Sequence, residues 1–456
     1  MENKSKENKM ASMPMPALVL NMSLPLMVSL LVQSLYNIVD GIFVARISEK
    51  ALTATSLAYP MQIMMIAFSV GTSVGINALL SRNLGAKKYD EANRIATTGL
   101  ILSAAGTVFF MAVGILAAGK FATFFTTDPE TALLCKQYLT ICMVFCAGIF
   151  FETLAQRLLQ ATGNTTLSMV SLVVGAVTNI ILGPIMIFGL FGFPELGIRG
   201  AAIATVIGQW LGALVALLLN AFKNPEVKFA FHNYHFTGSR LAAIYKVGFP
   251  TIVMQAMGSI MISAVNGILM PFSSTAVAFF GVYYKLQNFL VLPIQGMGQA
   301  AIPIVGFNYG AKNEKRMLSM LRVMVPVAVC IMLIGTVLFC AFPAQLLRLF
   351  SASDSMLVIG IPALRIISVT FVLTALTTIF GYSMSGLGNG VINMLGTALR
   401  QLFLLVPGIW IFSKMFGISY AWYAFWISEG FAALYAVLAS IHELKSKNVI
   451  SRSTPR

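Results

Sequence analysis

Four polar side chains lie on one face of the first long apolar stretch of the chain. The stretch spans residues 16–46 and contains Gln33, Tyr36, Asn37 and Asp40. Their spacing of i, i+3, i+4 and i+7 places all four on the same face of a helix. An acid at membrane depth costs roughly 2.5–3.5 kcal/mol on insertion scales, so one that persists there usually has a function. Asp40 is therefore a candidate ion-coupling or substrate-cation site; a structural Asp bonded to a neighbouring helix is the alternative.

The composition indicates that these residues are positioned by a membrane-embedded fold. The chain has 456 residues, of which 58% are hydrophobic and 10% are charged, and a soluble globular protein would not be so apolar. We therefore predict an all-α integral membrane protein. The net charge of +15 comes from basic residues scattered over short loops and tails, as in cytoplasmic loops, so nucleic acid is not an expected partner.

Neither a metal site nor a disulfide framework is predicted. The five cysteines lie in apolar segments without a CxxC pair or a nearby histidine, and small apolar packing residues are their expected role. His232 and His235 have ligand-like spacing, but they lie in a basic linker without a third ligand. We expect them to be solvated loop residues.

Twelve apolar segments each approach the ~20 residues that are needed to cross the hydrocarbon core. They cover approximately 17–45, 53–81, 95–119, 132–159, 166–190, 198–222, 242–270, 276–305, 317–342, 356–385, 391–413 and 418–442. With the N-terminus inside, most Lys and Arg residues fall on the inner side. We therefore predict a multi-pass protein of the cell membrane with both termini in the cytoplasm.

A sequence repeat relates the two halves of the chain at an offset of 225 residues. The sequence NLGAK at 83–87 recurs as NYGAK at 308–312, and Gly163-Asn164 recurs as Gly388-Asn389. Each half has six spans, so we predict two six-helix lobes related by a pseudo-two-fold axis along the membrane normal, with a binding cavity between them. The predicted domains are a cytoplasmic tail at 1–16, an N-lobe at 17–222, a cytoplasmic linker at 223–241, a C-lobe at 242–442 and a cytoplasmic tail at 443–456.

The two repeated loops are expected to be structural. NLGAKK and NYGAKN lack the spacing of a phosphate-binding loop, which excludes that type of nucleotide site. Gly85 and Gly310 are expected to close the turn after a long helix, and the following lysines to meet the anionic inner leaflet.

These motifs together resemble a known family. YNIVDGIFVAR, RNLGAKK with FNYGAKN, and LLQATGN with SMSGLGN are similar to the multidrug and toxic compound extrusion (MATE) family, and the similarity covers essentially the full chain. It implies an antiporter, not an enzyme. Such an antiporter expels organic cations and other xenobiotics or metabolites in exchange for H+ or Na+, and it needs no other cofactor.

The resemblance also implies where the coupling ion binds. The NorM-like branch has C-lobe acids, whose positions are occupied here by Gln255 and Thr374. The DinF-like branch has an N-lobe site, and Asp40, Asn179 and Thr205 match three of its positions. The fourth position holds Gly183 where many relatives have Asp. The chain is therefore closer to the DinF-like branch, and we expect Asn37 to accompany Asp40.

Further polar residues are candidates for binding the substrate. Glu152 and Gln156 share a helix face, which the resemblance places on the N-lobe cavity; a structural partner for Arg157 is the alternative role of Glu152. Tyr138 is expected to hydrogen-bond near Asp40 or to belong to an interfacial belt. The complete candidate substrate-binding set is Gln33, Tyr36, Tyr138, Glu152, Gln156, Gln255, Tyr284 and Gln287.

Three charged residues within the later spans have open roles. Glu429 is either a second protonatable group or a helix-helix contact. Lys285 and Arg400 can snorkel, pair with an acid, or repel cations from part of the cavity. The sequence does not choose among these roles.

The implied mechanism is alternating access by a monomer in which each half supplies one wall of the cavity. A proton from outside neutralises Asp40 and weakens its hold on a cationic substrate. With Gly183 in place of an acid, H+ is favoured over Na+ at Asp40, Asn179 and Thr205. The alternative is a flippase or exporter of lipid-linked or anionic cargo, for which only Lys285, Arg365 and Arg400 supply intramembrane cations. A membrane-embedded enzyme would need a catalytic cluster within the spans, and the three histidines lie in or beside loops.

Overall fold

A computed structural model describes residues 8–231, 234–350, 352–447 and 449. His232 and parts of both predicted tails lie outside the described residues. Within that part of the chain, all regular secondary structure is helical. The helices are α1 Lys9–Ser12, α2 Met15–Ala45, α3 Glu49–Gly85, α4 Tyr89–Phe125, α5 Pro129–Val144, α6 Ala147–Ala161, α7 Thr165–Phe188, α8 Ile198–Lys223, α9 Gly238–Leu269, α10 Ser274–Gly310, α11 Glu314–Ala341, α12 Pro343–Arg348, α13 Asp354–Ser368, α14 Phe371–Gly386, α15 Gly390–Ala398, α16 Val406–Phe416 and α17 Ala424–Ser446.

Short irregular helices complete two of the later spans. A π-helical segment, Leu399–Leu405, joins α15 to α16, and a 3₁₀ segment, Ile418–Tyr423, leads into α17. Ten helical stretches are long and apolar enough to cross a membrane, and two bent helix pairs raise the number to twelve. The predicted all-helical, twelve-span fold is therefore confirmed. α3, α4 and α10 each have 37 residues, or about 55 Å of helix, so their ends extend beyond a core of about 30 Å.

Two of the predicted spans are broken in the middle. α5 and α6 meet at 47°, and α13 and α14 meet at 48°. No proline lies at either break. At each break, the indole N–H of a tryptophan on a neighbouring helix bonds a backbone carbonyl. Trp210 Nε1 donates to Phe145 O at 3.2 Å, and Trp426 Nε1 donates to Ile366 O at 2.7 Å. A membrane helix tolerates a break where neighbouring side chains bond the freed backbone groups.

The repeated loops have the same backbone conformation in both halves. At Lys87 the φ angle is 58°, and at Lys312 it is 56°. In the first loop, Lys88 N donates to Asn83 O at 2.9 Å and Lys87 N to Leu84 O at 3.0 Å, which is the Schellman arrangement of a helix end. The expectation that glycine closes this turn is wrong. Gly85 and Gly310 are the last helical residues, and the left-handed position two residues later is occupied by lysine.

The chain divides into two compact units. The N-terminal unit contains Asn8 and Val28–Ile252, and the C-terminal unit contains Lys9–Met27 and the described residues from Val253 onward. The two long helices α2 and α9 are therefore each divided between the units. The division follows Met27 in α2 and Ile252 in α9, positions that are again 225 residues apart.

The inter-lobe linker is attached to the N-terminal unit. It runs from the end of α8 at Lys223 to the start of α9 at Gly238. Lys228 N donates to Asn93 Oδ1 at 2.7 Å, and Ala230 N donates to Thr97 Oγ1 at 2.8 Å, so the linker follows α4. His235 is exposed, as expected for a solvated loop residue.

Arg240 and Glu226 fix the two ends of this linker. Arg240 forms two parallel hydrogen bonds to Glu91, Nε to Oε1 at 2.8 Å and Nη2 to Oε2 at 3.2 Å. Glu226 accepts hydrogen bonds from the Asn8 amide at 2.8 and 3.0 Å. Burial raises the pKa of the Glu226 carboxyl above its usual range, and the Asn8 amide opposes part of that shift.

Candidate functional site

The Asp40 carboxylate lies on α2 beside polar groups of the N-terminal unit. Its Oδ1 atom is shielded from solvent and has no hydrogen-bond partner within the described structure. The side chains of Tyr36, Tyr138 and Cys142 lie within electrostatic range of it. A buried acceptor without a donor loses its solvation without compensation. The position is therefore suited to a proton, a cation or a water molecule.

Tyr36 places the two intramembrane acids of this unit in one neighbourhood. It lies one helical turn before Asp40, and Glu152 and Asp40 are both within electrostatic range of its hydroxyl. Tyr138 is 5% exposed and belongs to the apolar core of the unit, together with Cys142. The structure thus brings the predicted residues Tyr36, Asp40, Tyr138 and Glu152 together. Gln33 and Asn37 are exposed on α2.

Glu152 is accommodated by glycines on two neighbouring helices. Gln156 Nε2 donates to Glu152 Oε1 at 3.1 Å, which confirms that these two residues share a helix face. A Cβ at Gly212 on α8 would collide with the carboxylate, and one at Gly175 on α7 would lie 3.5 Å from Oε1. Arg157, the alternative partner of Glu152, donates to Gln160 Oε1 at 2.7 Å. Glycine at 175 and 212 therefore leaves the space that the carboxylate occupies.

Asn179 and Thr205 form a hydrogen-bonded pair between α7 and α8. Asn179 Nδ2 donates to Thr205 Oγ1 at 2.9 Å, and the threonine hydroxyl donates to Ala201 O at 3.0 Å. The hydrogen bonds of the described residues do not join either side chain to Asp40. One turn after Asn179, Gly183 has space for a side chain, since a Cβ there would meet only Phe43, at 3.6 and 3.9 Å.

A close crossing of α7 and α8 brings this pair within hydrogen-bonding distance. A Cβ at Gly208 would lie 2.7 Å from Gly175 O, and one at Gly175 would lie 2.9 Å from Gly208 O. Small residues at such crossings allow helix backbones to approach closely in membranes. The glycines therefore determine the helix separation at which Asn179 reaches Thr205.

Gln62 on α3 belongs to the Asp40 neighbourhood but was not among the predicted residues. It lies beside Tyr138 and Cys142. The repeat contained the signal that identifies it, because Gln62 occupies the position equivalent to the predicted residue Gln287. Cys142 was expected to be a packing residue only, and its proximity to Asp40 was not predicted.

In the C-terminal unit the predicted substrate residues lie on α9 and α10. Gln255 is half-buried on α9. Gln287 lies beside Tyr283 on α10, and the Tyr284 ring is 6.4 Å from that of Phe280. Gln287 and Tyr284 therefore lie beside the buried aromatic side chains of α10, which are Phe279, Phe280 and Tyr283.

The open roles of the later charged residues are partly resolved. Arg400 Nη1 lies 3.4 Å from Glu429 Oε1, and the two side chains are 22% and 5% exposed. Arg400 is thus paired with an acid, and Glu429 forms a contact between the π-helical segment and α17. Thr374 lies beside the same carboxylate. Lys285 is exposed on α10, with no ion pair to any described residue.

These features together define a class of protein. Twelve helical spans form two compact units, and carboxylate, amide and guanidinium groups lie inside the spans, which is typical of a polytopic membrane transporter. The sequence profile of the MatE family matches residues 25–185 and 250–411, and the chain belongs to this family. The two matched segments begin 225 residues apart, in agreement with the internal repeat.

Curated relatives and solved structures are similar over nearly the whole chain. The multidrug export protein MepA of Staphylococcus haemolyticus is 24% identical over 440 residues, which are 96% of this chain and 95% of MepA. MepA of Staphylococcus aureus strain NCTC 8325 is 24% identical over 434 residues, with 92% of each chain covered.

Two solved transporters show how closely the fold is shared. The outward-facing structure of a multidrug resistance MATE family transporter of the MOP superfamily has a TM-score of 0.91 at 25% identity and covers 98% of this chain and 100% of its own. A MOP superfamily transporter from Pyrococcus furiosus has a TM-score of 0.90 at 25% identity with the same coverage. Its binding pocket is described as having a reverse polarity that suggests a different function.

Proposed function

We propose that the protein is a secondary active antiporter that exports organic cations, drugs or metabolites in exchange for H+ by alternating access. Asp40 is the coupling residue. The observation that carries this proposal is the unpartnered, shielded Oδ1 atom of Asp40 beside Tyr36 and Tyr138. Membership of the MatE family and the multidrug export activity named for its relatives support an organic small-molecule substrate.

The exchange follows from competition for one carboxylate. Ionised Asp40 attracts a cationic substrate, and a proton from outside removes that attraction, so the substrate leaves outward. The protonated protein returns, releases its proton to the cytoplasm and binds substrate again. Exchange requires that the proton and the substrate favour different conformations. Glu152 supplies a second carboxylate near Tyr36, and this pair of acids favours a cationic substrate.

The polar groups available around Asp40 favour H+ over Na+ as the coupling ion. The Thr205 hydroxyl already accepts from Asn179 Nδ2 and donates to Ala201 O, so the threonine oxygen is engaged by this pair without an ion. Gly183 supplies no ligand. Sodium would have to be held by Asp40 with neutral oxygens, whereas a proton needs only the carboxylate. We propose that the chain belongs to the DinF-like branch, a proposal supported by Asp40, Asn179 and Thr205 in the N-terminal half and by Gln255 and Thr374 in the C-terminal half. We also propose that it is a monomer of the cell membrane with both termini in the cytoplasm, which the distribution of Lys and Arg supports.

A second candidate is the export of anionic or lipid-linked cargo. The observation that favours it is Lys285, which is exposed within the α10 span and forms no ion pair with the described residues. An anionic cargo would use this charge, whereas a cationic one would be repelled by it.

Efflux from proteoliposomes tests the proposal. Vesicles loaded with the cationic dye rhodamine 123 receive a proton gradient or a sodium gradient, with wild type, Asp40→Asn and Asp90→Asn side by side. Asp90 is an exposed acid at the start of α4, so its variant makes the same chemical change outside the spans. We expect the proton gradient to drive efflux in wild type and Asp90→Asn but not in Asp40→Asn.

Gradient-driven efflux in Asp40→Asn would refute the role of Asp40. Efflux driven only by sodium would show that Asn179 and Thr205 complete an ion site despite Gly183. Failure of wild type under both gradients would favour the anionic cargo.

A further inference from the structure

The inter-lobe linker reaches the apolar part of α4. Ala230 N donates to Thr97 Oγ1 at 2.8 Å, and the hydroxyl oxygens of Tyr234 and Thr98 are hydrogen-bonded at 3.1 Å. Both threonines lie within residues 95–119, a stretch of α4 that contains no charged residue. The linker therefore meets α4 at the level where this helix becomes continuously uncharged.

The length of this uncharged stretch places the contacts at the edge of the hydrocarbon core. Residues 95–119 extend over about 37 Å of helix, whereas the core is about 30 Å thick. A core centred on the stretch begins about two residues inside its start, close to Thr97 and Thr98. Linker residues that bond these threonines therefore lie at the boundary between lipid headgroups and acyl chains.

The linker is bonded to α4 at a shallower level on both sides of these contacts. Lys228 N donates to Asn93 Oδ1 at 2.7 Å, about one helical turn before Thr97. Later in the linker, Arg240 bonds Glu91 in the first turn of α4. Irregular backbone at membrane depth needs protein partners for its polar groups. Side chains of α4 provide these acceptors, which allows the linker to lie at the boundary.

Exposed phenylalanines accompany this course of the linker. Phe222 is 79% exposed, Phe231 is 68% exposed and Phe236 is 57% exposed. Phe231 directly follows Ala230, so its backbone lies about 4 Å along the chain from the residue that bonds Thr97. An exposed aromatic side chain at this level suits insertion between headgroups and acyl chains.

Two lysines of the linker lie at the shallower level. Lys228 is bonded through its backbone beside Asn93, and Lys223 is the last residue of α8. Both side chains are exposed, and neither forms an ion pair with a described residue. Glu226, the acid between them, is engaged by the Asn8 amide. Lysines beside a deeper aromatic side chain match the order of anionic headgroups and acyl chains in a leaflet.

We propose that Phe231 inserts into the leaflet beside the start of α4 and that Lys223 and Lys228 bind anionic lipid headgroups there. In the proposed topology this is the cytoplasmic leaflet, which carries the anionic lipids. A soluble acidic partner could meet the two lysines, but it would have to enter the headgroup region to reach Phe231. The depth of the contacts on α4 therefore favours lipid as the occupant.

Photocrosslinking tests the insertion of Phe231. The full-length protein, with p-benzoylphenylalanine in place of Phe231, is reconstituted into membranes of equal amounts of phosphatidylglycerol and phosphatidylcholine. The control carries the same probe in place of Tyr89, which is 51% exposed and begins α4 about 12 Å before Thr97. We expect mass spectrometry to detect about fivefold more lipid adduct at position 231, because only this probe meets acyl chains. Equal yields at both positions, or crosslinks to a second copy in place of lipid, would overturn the insertion.

The composition of the adducts at position 231 tests the two lysines. We expect more phosphatidylglycerol than phosphatidylcholine adduct, and the double variant Lys223→Gln/Lys228→Gln should lower this ratio about fivefold, as for the loss of one headgroup contact. The control Lys120→Gln/Lys136→Gln removes two exposed lysines near the other end of α4 and on α5, and it should leave the ratio unchanged. Equal amounts of the two adducts, or the same loss in the control, would overturn the headgroup contact. Neither readout involves a transported substrate, so failure here leaves the proposed export function untouched.

Discussion

Replacing Gly208 with alanine should separate α7 from α8 and loosen the hydrogen bond between Asn179 and Thr205. A Cβ at Gly208 would lie 2.7 Å from Gly175 O and 3.4 Å from Asn179 Cβ. The first distance is shorter than real Cβ contacts, so the helices must move apart by about half an ångström. The 2.9 Å hydrogen bond would then exceed the usual limit of about 3.2 Å. Overpacking of this kind costs about 1–3 kcal/mol.

Gly183→Ala is the matched control for this variant. It makes the same chemical change on α7, but its Cβ would meet only Phe43 at ordinary contact distance. The gain in helix propensity is common to both variants. The difference in Tm between them therefore measures only the effect of backbone contact at the helix crossing. We expect thermal unfolding in detergent to show a lower Tm for Gly208→Ala than for Gly183→Ala. Equal Tm values would refute the inference that backbone contact at Gly208 sets the helix separation.

Three further predictions concern the two repeated loops and the linker. Lys87→Gly and Lys312→Gly should each raise the free energy of unfolding by about 0.5–1 kcal/mol, because glycine adopts the left-handed conformation without strain; a similar gain from alanine at these positions would contradict this reason. Arg240→Lys should accelerate proteolysis within residues 224–237, since an ammonium cannot form the two parallel bonds to Glu91; an unchanged cleavage rate would show that the linker is held elsewhere. Burial raises the pKa of Glu226, so the folded state favours the protonated form and ionised Glu226 destabilises it. Glu226→Gln should therefore be more stable than wild type at pH 7, and this advantage should disappear as the pH falls to about 4; an advantage of the same size at both pH values would contradict the burial argument.

The spans were predictable from the sequence because the bilayer sets both their length and their composition. The breaks within two of them were not. They carry no proline, and each is compensated by an indole from a helix that is distant in sequence, as when Trp210 donates to Phe145 O. The apolar pattern of residues 132–159 does not predict that contact. Tertiary hydrogen bonding, and not local propensity, decides where these helices bend.

The turn after each long helix shows a similar limit. The repeated NLGAKK and NYGAKN motifs correctly indicated two equivalent loops. Glycine suggested where the left-handed residue lies, but Lys87 and Lys312 occupy that conformation. The hydrogen bonds of the helix end fix the position of the left-handed residue, and they tolerate a strained lysine there.

Helical periodicity was sufficient to group Tyr36 with Asp40, and Glu152 with Gln156. It could not pair Arg400 with Glu429, because residues 29 positions apart on different helices share no periodic relation. Nor could it identify the close crossing at Gly175 and Gly208, which depends on two backbones that meet in space. The sequence therefore predicts which helix faces are polar, whereas the partners across those faces come from the packing.

Proton release on substrate binding is the most direct test of the central claim. Rhodamine 123 is added to the purified protein in weak buffer with a pH indicator, at a series of pH values between 5 and 8. If substrate and proton compete for Asp40, wild type and Asp90→Asn release protons over part of this range, and Asp40→Asn binds dye without releasing any. Binding by wild type without proton release at any pH, or undiminished release from Asp40→Asn, would contradict the proposed exchange at this carboxylate.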